Sequence, residues 1–195
     1  MNDRRTRRFS EAISEGDGIS VIVEVDAASL AESAERDGAE AIVVRAQVAG
    51  LREATELPIL WSGAGLDEAT RAGADAYLLR SHNDDNELAR LQDDAHERGL
   101  ECVVAVGDEE ELERVLEHVD PEIVLLTAGG GDTDEDPLGR VLDLLPDVPA
   151  GKLAIAELRA SSRDEVLALE RAGVDGVIVA AGNVAELVGG APPEV

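Results

Sequence analysis

The chain has 195 residues, enough to bury one good core, and its length fits a single domain. It carries 43 acids against 17 bases, a formal net charge of -26, with the acids spread along the whole length. That balance excludes attraction to a nucleic-acid backbone or an anionic membrane surface, and the lone Cys102 excludes an intrachain disulfide.

Lys152 is the only lysine, so the other sixteen bases are arginines. Carboxylates hold water and keep a protein soluble in concentrated salt, where screening removes their mutual repulsion. Long lysine stems would add apolar surface that strong salt drives together. The composition therefore predicts a halophilic protein from a salt-accumulating, archaeal cytoplasm. The start, RRTRRFSEAISEGDG, is basic but lacks the apolar run of ~7–15 residues that an export signal needs. No stretch approaches the ~18 apolar residues of a membrane span, so a soluble, cytoplasmic protein is expected. Phe9, Trp61 and Tyr77 are the only aromatics, which leaves Val, Leu, Ile and Ala to build the core.

In chain order, residues 1–18 read as an N-terminal arm, helical over Arg4–Glu15, ahead of a domain spanning 19–190. Strands are predicted at Ile19–Val25, Ala41–Val44, Ile59–Trp61, Ala76–Leu79, Glu101–Val106, Ile123–Leu126, Leu153–Glu157 and Val177–Val179. Helical patterns lie between them: Ala27–Asp37, a weak one at Gln47–Glu56, Leu66–Ala72, Asn83–Arg98, Asp108–His118, Leu138–Leu145 and Ser161–Ala172. A stub at Val184–Val188 follows the last strand. Asn83–Arg98 carries the clearest apolar face, and Asp108 and Ser161 or Ser162 are the expected N-caps.

One phrase recurs: Asp37–Arg45 (DGAEAIVVR), Ala72–Arg80 (AGADAYLLR) and Ala172–Ala180 (AGVDGVIVA), with a worn copy at His118–Thr127. A helix ends on Gly, a short polar turn follows, and an apolar strand begins. Continuous apolar strands alternating with helices indicate a parallel sheet covered on both faces. Eight such units without a Gly-x-Gly-x-x-Gly predict a compact (β/α)8 TIM barrel with short loops, the alternative being an open doubly wound sheet.

In such a barrel the chemistry sits where strand C-terminal ends meet the following loops. Strand one brings Glu24 and Asp26 there, strand two Arg45, strand three Trp61 and Ser62, and strand four Arg80 and His82. Strands five and six add Gly107, Asp108, Thr127 and Gly129 to Gly131. Strand seven adds Glu157 and Arg159, and strand eight Gly182 and Asn183. Glu24 and Glu157 are the candidate acid/base pair. Arg45, Arg80 and Arg159 could grip a phosphate or dicarboxylate, or could simply neutralise Glu24, Asp26 and Glu157. Gly182 and Asn183 could present amides to a phosphate ahead of the last helix. Asp132, Asp134 and Asp136 have the spacing of a calcium loop, but Pro137 stands where that loop needs Gly. The three histidines share no ligand spacing, so neither a metal nor a cofactor is expected, and Cys102 reads as core.

Several segments, EVDAASL, ELPIL, GADAYLL, GLECVVAVGDEEELERVLE and AELRASSRDEVLALERAGVDGVIV, together resemble the indole-3-glycerol phosphate synthase family of the tryptophan pathway. The likeness runs from about Val21 to Val179. It implies a ribulose-phosphate-binding barrel and a decarboxylating ring closure that relies on an acid and lysines at the mouth. The family's Glu-x-Lys on strand one is matched by Glu24, but Asp26 stands at the lysine. Ser62 replaces the strand-three lysine, Ala105 the strand-five glutamate, and Thr127-Ala128 the strand-six asparagine pair. Glu157 is kept on strand seven, and Ala180-Ala181-Gly182 replaces the phosphate loop's Gly-Glu-Ser. Loss of both lysines, each worth roughly 10²–10⁴-fold as a general acid, predicts a noncatalytic barrel retained for binding or interaction. The alternative is a lyase or isomerase acting on a small phosphorylated metabolite. Nothing in the residues indicates an oligomeric state.

Overall fold

The computed structural model describes residues 7–16, 18–80, 84–128, 136–158, 162–182 and 184–188. The apolar runs form eight parallel strands: β1 (Ser20–Glu24), β2 (Ala41–Val44), β3 (Ile59–Trp61), β4 (Ala76–Arg80), β5 (Glu101–Val106), β6 (Ile123–Thr127), β7 (Leu153–Glu157) and β8 (Gly176–Ala180). Each pairs with the next in sequence, and β8 returns to β1 over five residue pairs from Ser20–Gly176 to Glu24–Ala180. The sheet is therefore closed, the (β/α)8 architecture expected from the alternating pattern and not the open sheet. Closure leaves no strand edge exposed.

The helices are α1 (Arg8–Ser14), α2 (Ala28–Arg36), α3 (Leu51–Ala54), α4 (Leu66–Arg71), α5 (Asp85–Glu97), α6 (Glu109–His118), α7 (Pro137–Leu144), α8 (Arg163–Ala172) and α9 (Val184–Val188). Their starts are set by side chains that satisfy otherwise orphaned backbone N–H groups. Asp84, Asp108 and Asp136 each accept from a first-turn N–H of the helix they precede. Ser162 and Glu165 form a reciprocal capping box on α8. The expected helix at Gln47–Glu56 contracts to the four residues of α3. Gly50, just before it, lies in the left-handed region at φ 72°, and only Leu51 is buried. No helix among the described residues is long and apolar enough to cross a membrane.

Period-two alternation along the strands sorts the core into two shells. One shell faces the barrel axis and includes Ile22, Val43, Leu60, Leu78, Val103 and Leu125. The other lies between sheet and helices and includes Val23, Ile42, Trp61, Tyr77, Val104 and Leu126.

The repeated phrase explains how the sheet is sealed at its base. Its acid, two residues after the Gly, is Glu40, Asp75 or Asp175. Glu40 accepts the Val21 N–H at 2.8 Å, Asp75 the Ile59 N–H at 2.9 Å, and Asp175 the Ala154 N–H at 2.7 Å. Each acid's own N–H donates to a carbonyl of that same neighbouring strand, from Val21, Ile59 or Ala154. The clamps therefore tie β2 to β1, β4 to β3 and β8 to β7. In the worn copy on β6, Glu122 is exposed and instead pairs with Arg7 at 3.5 Å.

Helix α1 plugs the barrel below these clamps. Phe9 and Ile13 are buried in the axial shell. Glu101, at the foot of β5 and only 6% exposed, accepts the Phe9 N–H at 2.7 Å and the Ser10 N–H at 3.1 Å and 3.2 Å. The buried Ser20 hydroxyl donates to the Ile13 carbonyl at 3.1 Å. Gly176 leaves the room for this: a Cβ there would lie 3.5 Å from Ile13 Cγ2 and 3.3 Å from Ile22 Cδ1.

Candidate functional site

At the opposite end, the axial positions continue two residues past the core, placing charged and polar side chains at the mouth. Glu24 ends β1, Arg45 follows β2, Ser62 follows β3, Arg80 ends β4, Thr127 ends β6 and Glu157 ends β7. The close approach of β2 and β3 here depends on Gly63. A Cβ on it would fall 2.2 Å from the Arg45 carbonyl oxygen and 3.0 Å from Trp61 Cε2, a clash with backbone that no rotamer relieves.

The mouth divides into two electrostatic halves. On the first, Arg45 lies side-on to Glu24, with Nε donating to Oε1 at 2.5 Å and Nη2 to Oε2 at 3.1 Å. The same Nη2 donates to Glu157 Oε1 at 3.3 Å. One guanidinium thus spans both candidate acid/base residues, a two-point grip that arginine geometry favours. The bond to Glu24 raises the Arg45 pKa further, partly offset by burial. Asp26 is exposed and takes no part among the described contacts.

The second half is different. Arg80 is partly buried, and its described partner is the Ser62 hydroxyl, to which Nη2 donates at 3.3 Å. Its register partner across the sheet is Ala105 on β5. The Thr127 hydroxyl donates to the Val106 carbonyl at 3.2 Å.

Several sequence-predicted positions are absorbed into the framework. Trp61, expected at the mouth, is fully buried in the shell beneath the helices because its odd position on β3 turns it outward. Asp108 caps α6, and the Gly107 N–H donates to Glu111 at 2.7 Å. Burial pushes the Cys102 thiol up to about 12, which keeps it protonated and unreactive near neutral pH. Lys152 pairs with Asp120 at 2.5 Å and the Pro121 carbonyl at 2.7 Å at the barrel's base, far from the mouth. Gly182 is exposed at φ 129° ahead of the short α9. Arg159, Asn183, His82, Gly129 to Gly131, Asp132 and Asp134 lie outside the described residues. Glu101 was not among the expected residues, although Gly99-Leu100-Glu101 has the same Gly-plus-two spacing as the clamps.

A family model for indole-3-glycerol phosphate synthase matches residues 19–184. The chain belongs to the indole-3-glycerol phosphate synthase family. Among its relatives, the indole-3-glycerol phosphate synthase of a Geobacillus sp. is 30% identical over 167 residues, covering 77% of this chain and 65% of that protein. The one from a Nocardioides sp. is 35% identical over 173 residues, covering 79% and 65%. This chain thus spans about 65% of the length of these family relatives. The likeness to solved structures concerns the fold alone. N-acetylmannosamine-6-phosphate 2-epimerase from Clostridium perfringens superposes with a TM-score of 0.70 at 18% identity, over 86% of this chain and 88% of that one. Thiamine phosphate pyrophosphorylase from Pyrococcus furiosus gives 0.63 at 18%, over 87% and 90%.

Proposed function

We propose that this chain is a synthase-family barrel that does not carry out the family's ring closure and serves instead as a binding or interaction protein. The observation that carries this reading is the bridge from Arg45 to both Glu24 and Glu157. The two carboxylates that match the family's pattern are engaged by a side chain of the protein itself. The absence of lysine from strands one and three, where Asp26 and Ser62 stand, points the same way. The acidic, lysine-poor surface suits a salt-rich cytoplasm.

The test is an assay for indole-3-glycerol phosphate formation by the purified protein in molar potassium chloride. No product above the buffer blank is expected, from the native chain or from Arg45→Ala. Product that forms and then disappears in Glu24→Gln would overturn the reading. A second reading, a lyase or isomerase acting on a small phosphorylated metabolite, draws its support from Arg80, whose described partner is the neutral Ser62 hydroxyl.

A further inference from the structure

We propose that Tyr77 repairs Trp61 after one-electron oxidation, passing the oxidising equivalent to solvent and sparing Cys102. The repair is independent of the mouth and of any ligand there.

Trp61, Tyr77 and Cys102 are the chain's only tryptophan, tyrosine and cysteine. They stand on β3, β4 and β5, where Trp61 is the register partner of Tyr77 and Tyr77 that of Cys102. All three belong to the shell between sheet and helices. The side chains that give up an electron most readily therefore form one row across three neighbouring strands, each about 4.8 Å from the next. The row continues on β2 as Val44, an ordinary core residue. Phe9, the remaining aromatic, lies in the other shell at the base.

The surroundings of each member set a direction. Trp61 is wholly buried, and among the described residues its Nε1 is the one buried side-chain nitrogen or oxygen without a hydrogen-bond partner. The indole nitrogen can only donate, and an oxidised indole ordinarily sheds that proton and settles as a neutral radical. With no acceptor at Nε1, the Trp61 radical cation keeps the proton and stays a strong oxidant. The ring is still close to the surface. A Cβ on Gly63 would lie 3.0 Å from Trp61 Cε2, so a loop segment without a side chain lies against the edge that carries Nε1.

Tyr77 has the outlet that Trp61 lacks. It is 8% exposed, and burial raises its pKa, partly offset by a hydrogen bond from the Gly65 backbone, so the phenol is protonated at neutral pH. Gly65 itself is exposed, which places the hydroxyl beside water. Cys102 has no such outlet. Its buried thiol is held protonated and directed at the Gln92 carbonyl at 3.8 Å, which accepts a hydrogen bond but not the proton of an oxidised thiol.

Electrons and protons balance in three steps. A radical oxidant takes one electron from Trp61 and is itself reduced by one electron. Tyr77 returns an electron to Trp61 and releases its phenolic proton to water, leaving a neutral tyrosyl radical. A thiolate or ascorbate in the solvent then supplies one electron, water returns the proton, and both rings are restored.

Pulse radiolysis in potassium chloride, with the azidyl radical as oxidant, tests this by following the indole and tyrosyl radical absorption bands. The indole band should decay as the tyrosyl band rises, with one rate constant that does not change with protein concentration. Tyr77→Phe keeps the ring and should melt cooperatively. It should lose the tyrosyl band and leave the indole radical long-lived, with oxidised Trp61 accumulating under oxygen by mass spectrometry. Cys102→Ala should leave the rate constant unchanged, and the native thiol should titrate in full after unfolding. A rate constant that rises with protein concentration, an indole decay equally fast in Tyr77→Phe, or a tyrosyl band that reaches full height with no indole band before it would overturn the proposal. Loss of the Cys102 thiol while Tyr77 is intact would do the same.

Discussion

At the foot of β5, Glu101 accepts backbone N–H groups from the plugging helix while almost wholly out of water, and that burial raises its pKa above the ordinary carboxylate value. Glu40, beneath β1, is raised by burial as well. An acid raised in the fold is protonated more readily there than in the unfolded chain. Its contribution to stability is therefore full below the unfolded value of about 4.3. It is lost as pH rises through the native value and is constant above that. Glu101→Gln should flatten this limb, seen as a shallower fall of melting temperature from about pH 4 to neutrality; a slope equal to the native one would assign the effect to Glu40. Arg45 belongs to the opposite regime. With Arg45 50%, Glu24 39% and Glu157 32% exposed, water screens the bridge. Arg45→Ala should cost less than about 1 kcal/mol in urea unfolding, despite the short contacts.

Among the elements, the clamps at the base predict a ranking. Asp175 holds one strand N–H, so Asp175→Ala should cost about 1–3 kcal/mol. Asp75 holds the Ile59 N–H and also faces Arg52, with Arg8 at 3.6 Å. Asp75→Ala strands a half-buried guanidinium as well as an amide and should be the more damaging of the two, by unfolding midpoint. These elements were legible in the sequence because the helix-Gly-turn-acid-strand phrase carries its backbone requirement and its accepting acid within nine residues, and recurs. The plug was not, because the Gly99-Leu100-Glu101 spacing marks the acid but nothing local marks its partner Phe9, ninety-two positions away. The same limit held at the mouth. Strand-end positions identified Arg45 and Arg80 as rim residues, but which one faced a carboxylate depends on register around the closed sheet. Trp61 was misplaced for a related reason: a three-residue strand is too short for alternation to reveal its inward face.

For the molecule as a whole, the net charge of -26 predicts a dependence of stability on salt. The Debye length is about 3 Å at 1 M salt and about 10 Å at 0.1 M, so dilution exposes the carboxylates to one another. The melting temperature should fall steadily as potassium chloride is lowered from molar concentration, and a melting curve indifferent to salt would remove the halophilic reading. The ion pairs cannot offset that repulsion, since most are at the surface and weak.

The base clamps also bear on where this chain could be reopened. They join β1 with β2, β3 with β4 and β7 with β8, and leave β5 and β6 without a clamp between them. A circular permutant whose new ends fall between clamped pairs, in the 45–58 connection for instance, keeps every clamped pair contiguous. One opened between β1 and β2 would have to recover the Glu40 contact from opposite ends of the chain. Cut points outside the three clamped pairs should therefore refold faster than those within them, so a barrel of eightfold geometry has seams of two unequal kinds.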